Sequence, residues 1–128
     1  MGGYLEEGRR WAEELLRQPF GEDRPDCGFA RAGALCAAGE LAFGQGDLAR
    51  AAEMFEMSLA LYRELGEDAG VAAALAELGQ VARARGDHER AAALSEEGLS
   101  LARRSDDSRV AAIALGTLGR VERYRGNL

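Results

Sequence analysis

The side chains able to carry reaction chemistry are few. The chain holds one histidine, His88, and two cysteines, Cys27 and Cys36. A tetrahedral metal site needs more ligands than that at suitable spacing, so no zinc pattern exists. If both cysteines share one helix, nine steps of roughly 100° turn them to opposite faces, roughly 13 Å apart along the axis. A disulfide is then out of reach, and buried thiols are the simpler reading. The carboxylate pairs Glu96-Glu97 and Asp106-Asp107 are neighbours in sequence, as expected of solvated charge on helix surfaces or links. No Gly-x-Ser-x-Gly and no dinucleotide fingerprint occurs, and no lysine is present to complete a phosphate-binding loop. His88 reads as a half-buried or capping residue. No nucleophile–base pair emerges, so the expectation is a non-enzyme without cofactor or metal.

The elements that position these residues follow from composition. With 128 residues, the chain is about one domain, and 47% apolar with 30% charged residues marks it as globular. Ala, Leu, Glu and Arg dominate, and the only prolines are Pro19 and Pro25, so an all-α fold is expected. A net charge of -6 argues against direct nucleic-acid binding. Neither a signal peptide after Met1-Gly2-Gly3-Tyr4 nor an apolar run of membrane-spanning length is visible, which suggests a cytoplasmic protein without membrane contact.

The chain repeats itself. Gly46-Asp47, Gly86-Asp87 and Gly126-Asn127 recur at a spacing of 40, and residues 34–73 share 14 identities in 40 with residues 74–113. Residues 74–88 share 8 in 15 with 114–128. In each unit a first helix carries Ala34-Leu35, Gly39 and Ala42, then Ala74-Leu75, Gly79 and Ala82, then Ala114-Leu115 and Gly119. The Gly-Asp pair ends it, with glycine left-handed and aspartate capping the next helix. Second helices are expected from Leu48 to about Leu65, with Ala51-Ala52, Phe55, Leu59 and Leu61 on one side. The next runs from His88 to about Arg104, with Ala91-Ala92, Leu99 and Leu101. The links Gly66-Glu67-Asp68 and Ser105-Asp106-Asp107 offer an Asp or Ser as N-cap. Glycine inside a helix costs about 1 kcal/mol against alanine. Three in register at Gly39, Gly79 and Gly119 therefore point to close approach of a partner helix, with Ala51 and Ala91 serving the same purpose.

Leu75, Leu78-Gly79, Gly86-Asp87 and Ala91, with Leu35, Gly39, Gly46-Asp47, Ala51 and Phe55 before them, resemble the tetratricopeptide pattern over about residues 30 to 128. The period is longer than the family's usual one. It is similar to the variant in kinesin light chains and in LuxR-type and ATPase-linked bacterial regulators. Ser58 and Gly98 stand where alanine is usual, and Arg63 and Arg103 replace the family's closing proline. The resemblance implies an α-solenoid of antiparallel helix pairs, a right-handed superhelix of about six helices. The expected organisation is a lone helix over about 4–18, a link over 19–26, repeats over about 27–66 and 67–106, and a half repeat over 107–128. By register, Trp11-Ala12 and Leu15 of the lone helix match Ala51-Ala52 and Phe55. The last helix carries Val110, Ile113, Leu115, Leu118 and Val121 without a following partner, as in a piece of a longer solenoid.

Carried onto this chain, the family's ligand-facing positions are Gly33, Cys36, Glu40 and Phe43, then Ala73, Ala76, Gln80 and Arg83, then Ile113, Gly116, Arg120 and Arg123, with Tyr124 beside them. The resemblance thus implies a concave groove that holds a partner protein, peptide or helix. Phe43 and Tyr124 would be anchors, and Arg83, Arg120 and Arg123 a basic stripe suited to carboxylate or phosphate. Acidic neighbours such as Glu122 and Glu77 would instead neutralise that stripe. The lysine–asparagine pattern of carboxylate-terminus binders is missing. Two other readings are an effector-sensing segment of a larger bacterial transcriptional or signalling regulator, and self-association into a homo-oligomer through the uncapped terminal helices.

Overall fold

The computed structural model describes residues 25–126. Five helices follow one another: α1 Pro25–Gly44, α2 Leu48–Leu65, α3 Asp68–Ala84, α4 His88–Arg104 and α5 Ser108–Arg125. No strand occurs among the described residues. The lone helix expected over 4–18 lies outside them. The link expected over 19–26 does so too, except that Pro25 and Asp26 belong to α1. The chain divides into two compact units between Gly66 and Glu67.

The same turn is built three times. The Gly46 amide donates to the Phe43 carbonyl at 3.0 Å and the Asp47 amide to the Ala42 carbonyl at 2.9 Å. These two crossed bonds satisfy carbonyls that the end of α1 would leave open, and they require a left-handed residue, here Gly46 at φ 80°. Asp47 then accepts from the Arg50 amide at 3.1 Å, which caps α2. Gly86 and Asp87 repeat the arrangement between α3 and α4. Between α4 and α5 the left-handed residue is Asp106, at φ 55°, one period beyond Gly66, and Asp107 caps α5 through the Val110 amide. The link read as simply polar is thus a strained copy of the glycine turn. The start of α3 differs: its N-cap is Glu67, which makes no side-chain cap bond, and Asp68 is already helical.

In the first unit α1 and α2 form an antiparallel hairpin. Moving away from the turn, Gly39 faces Phe55, Gly33 faces Tyr62 and Gly28 faces Leu65. A methyl placed on Gly39 would lie 2.7 Å from a ring carbon of Phe55, so the ring occupies the space that glycine vacates. Phe55 and Leu35 are wholly buried, and Leu35, Ala38 and Met54 pack together. Burying one such large side chain contributes roughly 1.5–3 kcal/mol. The buried stripe of α2 is Ala51, Met54, Phe55, Ser58, Leu59 and Tyr62. It is wider than the apolar residues alone suggest, because Ser58 turns its hydroxyl inward and donates to the Ala32 carbonyl at 2.8 Å. Leu61 is only half-buried. Tyr62 meets Phe29 edge to face, with ring centroids 5.9 Å apart.

The second unit packs α3, α4 and α5 together. Gly79 plays the part of Gly39, but its neighbours are the Ser95 hydroxyl and the Ala91 carbonyl, where the first unit has a phenylalanine. A second glycine draws the same two helices together: a methyl on Gly98 would come within 3.2 Å of the Ala72 carbonyl oxygen and the Ala76 nitrogen. The departure from alanine at that position therefore has a steric cause. Ala72, Ala76, Leu99, Ala102, Val110 and Ala114 form one apolar cluster, and Ala82, Ala91, Ala92 and Val121 another. On α5, Val110 and Val121 are buried, and Ile113 and Leu118 pack against these clusters. Of the row expected to lack a partner, only Leu115 is exposed, at 49%. A methyl on Gly119 would meet nothing within 4 Å, so the close approach expected there is not seen among the described residues.

Three outcomes follow for chemical denaturation. Gly39→Ala and Gly79→Ala are each expected to cost about 1–3 kcal/mol by overpacking, whereas Gly119→Ala should gain up to about 1 kcal/mol of helix propensity. Equal effects at the three sites would contradict the packing described. Ser58→Ala should cost about 1 kcal/mol through its lost hydrogen bond. Ser95→Ala, whose buried hydroxyl has no hydrogen-bond partner, should be close to neutral or stabilising. Asp106→Gly should raise stability by up to about 1 kcal/mol by relieving a left-handed backbone, while Gly86→Ala should lower it by about 1–2 kcal/mol.

Candidate functional site

Arg83 stands in the last turn of α3, and Arg120, Arg123 and Tyr124 stand near the end of α5. Arg83 and Arg123 are one period apart, so each occupies the same place on its own first-type helix. His88 is the first residue of α4, carried there by the tight turn at Gly86. These five residues line one pocket of about 310 Å³, wholly within the second unit.

His88 and Tyr124 stack almost parallel, with ring centroids 3.7 Å apart and planes inclined by 18°. The stack ties the start of α4 to the end of α5. Tyr124 is 72% exposed, so most of the phenol remains open to solvent. Sequence comparison places His88 opposite Leu48 and so gives no sign of this contact. Only the antiparallel pairing of α4 with α5 brings the two rings together.

The charges are arranged unevenly. Among the described residues, Arg83, Arg120 and Arg123 have no carboxylate partner. Arg125 instead takes both nearby acids, Glu89 at 2.8 Å and Glu122 at 3.0 Å. Of the two acids expected to neutralise the stripe, Glu122 bonds Arg125, and Glu77 is not among the residues that line the pocket. The Nε of Arg83 and the Nδ1 of His88 are buried without a hydrogen-bond partner. A buried unsatisfied donor or acceptor costs about 1–3 kcal/mol. Arg83 and Arg123 stand in the last turns of α3 and α5, where the carbonyl ends favour positive charge.

The other residues carried over from the groove pattern lie elsewhere. Gln80 is half-buried on α3 and does not line the pocket. Glu40 is exposed and Phe43 half-buried on α1, in the first unit. Ala76 is fully buried among Leu99, Ala102, Val110 and Ala114 and so cannot face a ligand. Gly116 is exposed, while Gly33, Cys36, Ala73 and Ile113 are half-buried.

No group of metal-ligating residues occurs among the described residues, and no helix there is long and apolar enough to cross a membrane. No curated protein matches the chain. A family model of the tetratricopeptide repeat matches residues 30–104, taking in both hairpins with their glycine contacts and Gly-Asp turns. The match spans more than half of the sequence, and on it the chain belongs to the tetratricopeptide-repeat family.

Proposed function

We propose that the chain is a non-catalytic interaction scaffold that receives an acidic group of a partner protein in the pocket of the second unit. Tetratricopeptide repeats in general mediate contacts between proteins, which supports the scaffold part of the reading. One observation carries the rest. Arg83, Arg120 and Arg123 line one pocket, with no carboxylate partner among the described residues, in a chain whose net charge is -6. Guanidinium groups bind carboxylate or phosphate through paired N–H donors, and each such charge-assisted bond is about twice as strong as a neutral one. Tyr124 supplies an exposed aromatic edge at the rim, of the kind that anchors interfaces. Glu40 and Phe43 on the first unit, and Gln80 on the second, are proposed as partner contacts of their own units, apart from the pocket.

The test compares two variants of equal charge change on partners recovered by affinity capture with the native chain. Arg83→Glu, Arg120→Glu and Arg123→Glu together should weaken capture by about tenfold or more. Arg103→Glu, Arg104→Glu and Arg109→Glu, all exposed and remote from the pocket in sequence, should leave it nearly unchanged. Equal loss in both, or loss in neither, overturns the reading.

A further inference from the structure

We propose that the Arg83–Arg120–Arg123 pocket is a receptor for a phosphomonoester dianion, and this rests on the pocket being the contact site argued above. The chemistry of the lining separates phosphate from carboxylate. Three of the five lining residues are arginines, and each guanidinium carries about five N–H donors. A carboxylate has one negative charge and two oxygens, enough to engage one guanidinium face to face. A phosphomonoester carries about -1.5 to -2 charge near neutral pH and three terminal oxygens. It can therefore accept from several arginines at once and cancel more of their mutual repulsion.

The surroundings agree with that choice. Glu89 and Glu122 both bond Arg125, and no acid is among the residues that line the pocket. Arg83 Nε and His88 Nδ1, on two of the lining residues, are buried without a hydrogen-bond partner among the described residues. The volume of about 310 Å³ is at the low end for ligand sites, which suits one compact headgroup better than a length of chain. The stacked rings of His88 and Tyr124 provide a flat, stiff wall beside it. A nucleic-acid backbone would bring further phosphates against an acidic molecule, so an isolated phosphoryl group is the better match. That group could sit on a phosphorylated side chain of a partner or on a small phosphorylated effector.

His88 is the only histidine, so its ring resonances report on the pocket without ambiguity. Phenyl phosphate and benzoate present the two anions on the same aromatic ring. Titration with phenyl phosphate should shift the His88 signals saturably, with affinity about tenfold or more above that for benzoate. Arg120→Gln and Arg123→Gln, both exposed positions, should each weaken phenyl phosphate by about tenfold. Arg104→Gln should have no effect. Equal affinity for benzoate, insensitivity to both glutamine variants, or no saturable shift overturns the proposal. If any of these occurs while the triple glutamate variant still loses its partners, the scaffold reading stands and only the phosphate assignment falls. Comparison of free O-phosphoserine with a phosphoserine peptide then identifies the source. A tighter peptide indicates a phosphorylated partner, and equal binding indicates a small effector.

Discussion

Within each hairpin one glycine of the first helix leaves room that a side chain of the second helix takes, so that no Cβ could be added there. These are Gly39 and Gly79, forty residues apart. The helix loses propensity there, but it admits a neighbour that alanine would push away. The two hairpins use the gap differently. In the first, the ring of Phe55 fills it; in the second, the small Ser95 takes the same repeat position and Gly98 adds a second close contact with α3. One hairpin is therefore held by a large buried side chain and the other by near contact of helix with helix. The difference reaches the surface, because tight packing of α3, α4 and α5 also gathers the ends that carry Arg83, His88 and Tyr124.

Much of this was legible in residue types and spacing. The period located the helices, and the limits expected for the second helices, Leu48 to Leu65 and His88 to Arg104, agree with the structure. Gly-Asp turns have a local cause that any reader of the chain can recognise. The buried polar residues were harder to see. Ser58 lies inward because its hydroxyl finds the Ala32 carbonyl, and no hydropathy pattern announces a partner on another helix. Asp106 occupies a glycine position in disguise, since aspartate is one of the few other residues that tolerates a left-handed backbone. Ala76 shows the limit of carrying positions over from a family. Leu99 and Ala102 of α4 with Val110 and Ala114 of α5 bury it.

The pocket was half legible. Arg83, Arg120, Arg123 and Tyr124 were reached through the family's register, and the structure gathers them. His88 was not, since a histidine at the first position of a helix has the local look of a capping residue. Which carboxylate serves which arginine is likewise invisible in sequence. Glu122 is within three residues of both Arg123 and Arg125, and side-chain direction decides between them. That choice puts both Glu89 and Glu122 on Arg125 and leaves Arg83, Arg120 and Arg123 with no carboxylate partner among the described residues.

The Gly-Asp turns have a consequence for how the chain can vary over evolutionary time. Asp47 closes one helix with its amide and opens the next with its carboxylate, so one residue belongs to both ends. An inserted residue would separate those two tasks and would also rotate the following helix by roughly 100° about its axis. The buried stripe of α2 would then face water. These corners act as fixed hinges without play, and lineages of this chain should gain or lose residues almost anywhere before they do so there.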